Sequence, residues 1–520
     1  MNRPRVLFGA SIGAAGAAIF VLVSRIRGAV MAPWPPAAVP TYDVADYVAR
    51  GREWAAAYAA SDLHGIVSLA LEPNAHPAGH PALLGLGFLF SPSANTESSV
   101  PFALHVTALL LLPLAFGLLD GRRGLLLGLL AAAATSTAPI ERAMVLAPMT
   151  EPLAQAVVLV ALAALIRALR RPAGWSWLVA GTCIAAASAA RYQLGPQLLM
   201  AAAAAAIWPH NETWAQRLLR LSALALPLGG IALTVLWLSP DYALGVERFL
   251  RNADSGLPTW SGANLRWWLG IPTAVIFGHG IAVFGAAALT LVSLAGVRKW
   301  TSEDAALAAF VVVGAVGMFL HPLKVERNVF VLIAPAWILL ARTVPRTLGS
   351  SSLASAALVA SSVLLVQYDR EASVVRPEQY YSDDPGLTEA SALVERVAAP
   401  AKTLVIVGAQ RELSDAVLKY AAKRNGSGVE VVVQPEYPPV CSTPLGGTLS
   451  DCRPTVVTQY AAAAGTVVAV VEPTSGPAAR HHQWSMGMAG DVATFLTSAQ
   501  YVQRSLELSS RGLRLTVYSQ

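Results

Sequence analysis

Four polar side chains stand together in a segment that follows the first apolar run of the chain. Asp43, Asp46, Tyr47 and Arg50 lie within PTYDVADYVARGREW. Their spacing of three to four residues places them on one face of a helix. A carboxylate in this position serves as a general base on a hydroxyl when burial and neighbours tune its pKa. The alternative interpretation is an amphipathic interfacial helix whose acids are solvated.

Two histidines follow in the same segment of the sequence. His76 and His80 belong to HPAGHPALLGLGFLF. Imidazole and carboxylate together suit several divalent metals, so the pair forms a candidate metal site with Asp43 or Asp46. The alternative is that both histidines only form hydrogen bonds within the loop. The apolar run that follows is shorter than the roughly 20 residues needed to cross a bilayer, and it predicts an interfacial or re-entrant helix.

Further charges stand at the ends of later apolar runs. Ionisable groups at membrane depth usually face a cavity or a partner, although arginine and lysine also extend toward lipid headgroups. For acids at the start of a helix, the alternative to a functional role is that they cap the helix. The cationic candidates are Arg191, Lys324 and Arg327, and the supporting acids are Glu141, Glu151 and Glu326.

The composition indicates what positions these side chains. Of 520 residues, 55% are hydrophobic and 13% are charged, against about 25% charged in soluble proteins. Lipid must therefore solvate much of the exterior. The net charge of +6 comes from short basic clusters between apolar runs, which excludes a nucleic-acid partner. The sequence contains no phosphate-binding glycine loop and no zinc-protease motif.

The apolar runs predict an α-helical polytopic membrane protein with about eleven transmembrane helices. Residues 175–208 are interpreted as two helices separated at Arg191, and the alternative is one long kinked helix. The predicted spans are 6–24, 100–119, 124–139, 147–166, 175–190, 193–208, 221–239, 271–297, 304–320, 328–341 and 347–367.

Charge distribution predicts the orientation. Short basic connections alternate with loops that hold most of the acids. The amino terminus and the basic connections are therefore expected on the cytoplasmic side of the plasma (inner) membrane. The large first outer loop is 28–99, and the predicted transmembrane domain is 1–368. The basic connections are 121–124, 167–174, 209–220, 298–299 and 342–346.

Residues 369–520 predict a small extracytoplasmic α/β domain, because short apolar runs alternate with amphipathic ones. Cys441 and Cys452 lie close together there, without histidine at ligand spacing. A disulfide in an oxidising compartment is favoured over a metal site. The predicted strands are 403–408, 429–434, 466–472 and 513–519, and the predicted helices lie near 387–398, 411–424 and 490–504.

An ordered set of motifs resembles the GT-C superfamily of membrane glycosyltransferases. The superfamily includes protein O-mannosyltransferases and the transferases that place aminoarabinose on lipid A. The resemblance covers roughly residues 1–345. It departs from many members in that their adjacent Asp-Glu pair is replaced here by DVAD. The matching motifs are the acid, Tyr and Ala-Arg pattern of DVADYVAR, then HPAGHPALL, ERAMVLAPMTEPL, ASAARYQLGPQLL and HPLKVERNVFVLIAP.

This resemblance implies a GT-C-like transferase with an outward-facing active site. It would move a sugar from a polyprenyl-phosphate donor to a lipid, glycan or protein hydroxyl with inversion. Asp43 matches the catalytic base best and Asp46 is the close competitor. Arg191, Arg327 and Lys324 would hold the donor phosphate, because fixed cations stabilise a phosphate leaving group. The alternatives are a transporter or lipid-carrier flippase, and an inactive partner in envelope assembly.

Overall fold

The chain has two compact units, divided as Met1–Ala32, His64–His80 and Ala94–Arg376 against Pro33–Leu63, Pro81–Ser93 and Pro377–Gln520. The computed structural model describes residues 39–40, 42–72, 76–91, 94–144, 147, 149–170, 174–208, 213–243, 262, 264–265, 280–320, 326–348, 381–382, 384–408, 413–424, 429–434, 465–473, 483–508 and 513–519. The predicted first span 6–24, most of 347–367, Lys324, Cys441 and Cys452 lie outside the described residues.

Helices dominate the described part of the chain. In chain order they are α1 Tyr42–Ala59, α2 Leu63–Leu71, α3 Gly79–Phe90, α4 Ala94–Thr137, α5 Pro139–Met144, α6 Thr150–Arg170, α7 Gly174–Ala190, α8 Leu194–Ile207, α9 Trp214–Leu238, α10 Gly280–Ala295, α11 Ser302–Leu320, α12 Phe330–Leu348, α13 Pro385–Ala398, α14 Asp415–Lys423 and α15 Gln483–Ser498. The strands are β1 Val39–Pro40, β2 Tyr381–Ser382, β3 Thr403–Val407, β4 Glu430–Gln434, β5 Thr466–Pro473, β6 Val502–Leu508 and β7 Leu513–Ser519.

The first unit is a bundle of apolar helices. Five described segments are long and apolar enough to cross a membrane, which requires about 20 residues at a rise of 1.5 Å each. The shorter helices α7 and α8 are also apolar. The chain is therefore a multi-pass membrane protein. The five segments are Thr96–Gly117, Thr150–Arg170, Trp214–Leu238, Ser302–Leu320 and Arg327–Val344.

Helix α4 reverses direction at Gly121. This glycine has φ 62° and ψ −139°, a conformation that side chains other than glycine's rarely tolerate. A Cβ added to Gly128 would lie 2.6 Å from the carbonyl oxygen of Leu112. In one straight helix these residues would be about 24 Å apart. The segment is thus two antiparallel helices, in agreement with separate predicted spans at 100–119 and 124–139.

Helices α7 and α8 form a second reversal. A Cβ at Gly195 would collide with Oγ of Ser188, although a straight helix would separate the two residues by about 10 Å. The chain therefore turns back around Arg191, and the prediction of two helices over 175–208 holds against the single kinked helix.

Burial differs sharply between helices of the first unit. Most of α6 is buried, because it packs against α4, α7 and α12. Helix α9 is largely exposed despite its apolar composition. Leu219, Leu233 and Trp237 are among its exposed side chains. Such a face is stable only when hydrocarbon replaces water around it.

The second unit contains a five-stranded sheet of order β4-β3-β5-β7-β6. Strand β3 is parallel to both β4 and β5, and β7 is antiparallel to β5 and β6. Valines of β3 and β5 pack beneath α15. Helix α14 packs against α1, where Lys423 Nζ lies 3.4 Å from Glu53 Oε1. Strands β1 and β2 form a separate antiparallel pair.

One predicted element of this region was wrong in part. The helix expected near 490–504 ends at Ser498, and residues 502–508 form β6. Strand β6 pairs only with β7 at the edge of the sheet, and most of its side chains are exposed. An edge strand with charged residues on its surface lacks the apolar run by which the other strands are recognised.

Candidate active site

The clearest polar site of the first unit joins three distant parts of the sequence. Glu151 is the second residue of α6, Arg191 lies in the turn between α7 and α8, and Arg327 lies in the short 3-10 helix Glu326–Val329 that precedes α12. Arg191 Nη1 and Arg327 Nε are each 3.4 Å from Glu151 Oε1. Arg191 Nη2 donates a hydrogen bond of 2.7 Å to Oδ1 of Asn328. We call these four residues the arginine cluster.

Burial makes the arginine cluster electrostatically strong. The Glu151 side chain is fully buried, and only 12% and 14% of the Arg191 and Arg327 side chains are exposed. A low-dielectric environment strengthens every charge interaction there. One carboxylate shared by two guanidinium groups neutralises at most one positive charge. The arrangement is suited to binding an anion with geometric specificity, as arginine does for phosphate.

A second polar group lies one helical turn further along α6. Gln155 Nε2 donates a hydrogen bond of 2.8 Å to Oε1 of Glu141, which is on α5. His105 Nδ1, on α4, is 3.1 Å from Oε2 of the same carboxyl group. All three side chains are buried. Burial raises the pKa of Glu141 well above its usual range, and the hydrogen bond from Gln155 opposes this only in part. We call these three residues the His105 array.

The predicted base candidates belong to the second unit. Asp43 and Asp46 lie on α1, where Asp43 is in the first turn, and both side chains are half-buried. Tyr47 and Arg50 follow on the same helix and are buried. The helical spacing therefore holds, and all four residues share a face. The catalytic role of the two acids stays a prediction.

Of the remaining candidates, the structure describes His76, His80 and Glu326, whereas Lys324 lies outside the described residues. His76 is half-buried, and His80 is fully buried near the start of α3. Among the residues that the structure describes, no group of three or more His, Cys, Asp or Glu side chains is arranged to hold a metal ion. Glu326 begins the 3-10 helix that carries Arg327.

Comparison with solved structures identifies the fold. The chain aligns with ArnT from Cupriavidus metallidurans, an aminoarabinose transferase, in the apo state, with a TM-score of 0.57 and 12% identity over 97% of this chain and 98% of ArnT. The structure of ArnT bound to undecaprenyl phosphate aligns with a TM-score of 0.55 and 12% identity over 98% of each chain. The chain therefore has the GT-C fold of ArnT.

A third alignment, with an apo oligosaccharyltransferase from Archaeoglobus fulgidus, has a TM-score of 0.49 and 12% identity over 88% of this chain and 69% of that one. No protein-family model matches the sequence, and no curated protein matches it. At this identity the two ArnT structures show the GT-C fold and leave the activity to be argued from residues.

Within this GT-C fold, a different charge network lies at the other end of the helices that carry the arginine cluster. Helix α6 begins beside Glu151 and ends at Arg170, so the two ends are about 30 Å apart. Arg170 Nε is 2.8 Å from Oε1 of Glu303, and Arg342 Nε is 2.8 Å from Oδ1 of Asp304. Arg346 also pairs with Asp304. Parts of two predicted cytoplasmic connections, 167–174 and 342–346, therefore meet at one end of the bundle.

Sequence reasoning missed three members of these polar groups. His105, Gln155 and Asn328 were not candidates, although each makes a specific contact with one that was. A signal existed for His105, since a histidine inside an apolar span is a functional candidate by default. Gln155 lies four residues after Glu151, which is the spacing that places both on one face of α6.

Proposed function

We propose that this chain is a membrane glycosyltransferase that moves a sugar from a polyprenyl-phosphate donor to an acceptor hydroxyl on the outer face of the membrane. The observation that carries the proposal is the convergence of Arg191 and Arg327 on buried Glu151 in a chain with the ArnT fold. ArnT has been solved with undecaprenyl phosphate bound, and an anion of this class suits a pair of arginines at membrane depth.

The proposed reaction is a single displacement at the anomeric carbon. Asp43 or Asp46 accepts the proton of the acceptor hydroxyl, and the acceptor oxygen forms a bond to the anomeric carbon. The bond between that carbon and the phosphate oxygen breaks, and the electron pair leaves with polyprenyl phosphate. Attack opposite to the leaving group inverts the configuration. Arg191 and Arg327 stabilise the negative charge that develops on the phosphate.

The orientation follows from where the charges lie. The end with Arg170, Arg342 and Arg346 carries the basic connections that face the cytoplasm under the positive-inside rule. The arginine cluster is then at the outer end, and residues 369–520 are proposed to be extracytoplasmic. Lys324 is proposed as a third phosphate contact, and the acceptor is proposed to be a lipid, a glycan or a protein.

Position of charge also favours a transferase over a transporter. Transporters gather charges near the middle of broken helices. Here the pairs between arginine and carboxylate groups among the described residues of the first unit lie at the starts and ends of α6, α11 and α12. The His105–Glu141 contact, between α4 and α5, is the exception. A flippase would move an intact donor lipid without breaking its bond to the sugar.

The test is to incubate the purified full-length chain in lipid nanodiscs with radiolabelled polyprenyl-phosphate sugars. A transferase releases polyprenyl phosphate and labels an acceptor, whereas a flippase leaves the donor intact. A chelator arm tests whether a divalent metal, with His76 and His80 as candidate ligands, is required. Recovery of every donor unchanged, with and without added metal and acceptor lipids, would contradict the proposal.

A further inference from the structure

The His105 array contacts α6 and α12, which are two of the three parts of the chain that position the arginine cluster. On α6, Gln155 and Glu151 are four residues apart, so the array and the cluster occupy consecutive turns of one helix face. On α12, the ring centroid of Phe330 lies 6.4 Å from that of His105, and Phe330 follows Arg327 by three residues.

Hydrogen bonding makes Gln155 dependent on Glu141. The amide nitrogen of Gln155 donates to Glu141, while its oxygen has no hydrogen-bond partner among the described residues. A buried amide in a well-packed bundle is held in one orientation by the bonds that it makes. Removal of Glu141 therefore releases the Gln155 side chain and leaves a buried polar group to find a new position one turn from Glu151.

Short α5 offers little rigidity of its own. It has six residues, Pro139–Met144, and an isolated helix of this length is unstable in water. Its contact with α6 through Glu141 and Gln155 fixes it against the second turn of α6. Met149, which directly precedes α6, has its sulfur 3.7 Å from Nη1 of Arg327. The beginning of α6 thus contacts the arginine cluster first and the His105 array one turn later.

We propose that the His105 array is a positioning device for the arginine cluster, and that Glu141 and Gln155 set the affinity for the donor phosphate without touching it. This inference rests on the proposed function, because it assigns the phosphate to Arg191 and Arg327. The array fixes the position of Glu151 relative to Arg327. Its loss therefore moves apart the guanidinium groups of Arg191 and Arg327, which act on one anion.

The geometry predicts a difference between two substitutions at one position. Glu141→Ala removes the acceptor of the Gln155 hydrogen bond and leaves a void. Glu141→Gln keeps the shape and an oxygen that accepts the bond. We expect Glu141→Ala to weaken binding of undecaprenyl phosphate about tenfold, a typical coupling between residues in contact. Glu141→Gln restores affinity to within about twofold of the original chain.

The experiment measures binding of undecaprenyl phosphate to the full-length chain in nanodiscs, with the thermal unfolding midpoint recorded for every variant. Arg191→Gln is combined with Glu141→Ala in a double-mutant cycle. If the array acts through the arginine cluster, Glu141→Ala produces no further loss of affinity in the Arg191→Gln background. Asp304→Ala, at the opposite end of the bundle, serves as a control that lowers the unfolding midpoint without changing affinity.

The outcomes separate the inference from the proposed function. If the original chain does not bind undecaprenyl phosphate, the proposed function fails and the inference fails with it. If it binds and Arg191→Gln weakens binding, but Glu141→Ala binds as well as the original chain, the positioning role alone is overturned. Should Glu141→Ala not fold, Gln155→Met carries the same prediction of about tenfold weaker binding, and unchanged affinity there overturns the inference.

Discussion

Arg191 and Arg327 approach the same oxygen of one carboxylate: a nitrogen of each guanidinium group lies 3.4 Å from Oε1 of Glu151. Arg191 lies in the turn between α7 and α8, and Arg327 lies in the 3-10 helix that precedes α12. Their meeting depends on the packing of the helices whose ends carry these residues, α6, α7, α8 and α12. It gives the bundle a cationic centre at the end of α6 where the helix dipole is positive, which further favours an anion.

Replacement of either arginine should reduce donor binding. Arg191→Gln and Arg327→Gln each remove one charge-assisted contact to phosphate, so we expect affinity for undecaprenyl phosphate to fall about tenfold to a hundredfold. Arg167→Gln is the matched control, because this exposed arginine lies at the other end of α6. Equal affinity in the control and in both variants would refute the assignment of the phosphate to this cluster.

The two acids of α1 should affect chemistry and not donor binding. Loss of a general base lowers the rate about 10²-fold to 10⁴-fold. We therefore expect Asp43→Asn or Asp46→Asn, and certainly the double variant, to lose transfer while binding undecaprenyl phosphate normally. Glu53→Gln is the control on the same helix. Full transfer by the double variant would exclude a base in this segment.

Replacement of Glu151 should lower the free energy of unfolding of the chain. Glu151→Ala leaves two largely buried guanidinium groups without their shared partner, which costs about 3–5 kcal/mol of unfolding free energy. Undecaprenyl phosphate should restore part of the loss by supplying negative charge. Thermal unfolding in detergent, with and without the lipid, measures both effects. Exposed Glu389 provides the control, and an unfolding midpoint equal to that of Glu389→Ala would contradict the expectation.

The charge network at the opposite end should be purely structural. Asp304 is fully buried and pairs with Arg342 and Arg346. Asp304→Ala leaves Arg346 without its carboxylate partner and Arg342 with only Glu303 at 3.7 Å. We expect a loss of about 3–5 kcal/mol with unchanged affinity for the donor. Loss of the exposed Glu507–Arg514 pair should leave the unfolding midpoint unchanged, because solvent screens such pairs. A larger effect at Glu507 than at Asp304 would count against this assignment.

Stability should depend on pH through Glu141. Burial raises its pKa in the folded state, so the stabilisation by its protonated form is complete below the ordinary carboxyl range and is lost as pH rises toward the folded pKa. Between about pH 5 and about pH 8 the original chain should lose stability relative to Glu141→Gln, which does not titrate there. Unfolding midpoints across this range measure the difference. The same comparison in a His105→Gln background removes the other titratable group in contact with Glu141. A difference in unfolding midpoint between the original chain and Glu141→Gln that stays constant with pH would refute the expectation.

Apolar runs made the bundle predictable. Long stretches without charge have few other stable structures in a chain this poor in charge, and the helices at 150–170, 214–238 and 302–320 lie close to the predicted spans. Gly121 supplies the positive φ of the first chain reversal, and Gly195 lacks the side chain that would collide with Ser188 at the second. The exposed edge strand β6 was missed because its pairing partner, and not its own composition, makes it a strand.

The candidate site was predictable only as a list of residue types. Arg191, Arg327 and Glu151 stood out as charges near the ends of apolar runs. That both arginines contact Glu151, and that Asn328 joins Arg191, depends on helix packing between segments far apart in sequence. His105 carried a signal as a histidine inside an apolar span, but the contact that it and Gln155 make with Glu141 becomes evident only once α4, α5 and α6 are assembled.

The most direct measurement is transfer from a radiolabelled undecaprenyl-phosphate sugar by the full-length chain in nanodiscs, compared with the double variant Arg191→Gln/Arg327→Gln. The original chain should release undecaprenyl phosphate from at least one sugar donor and pass the sugar to a hydroxyl. The double variant should release little or none while unfolding at a similar temperature. Sugar release by the double variant at the original rate would contradict the central claim that these two arginines bind the donor phosphate.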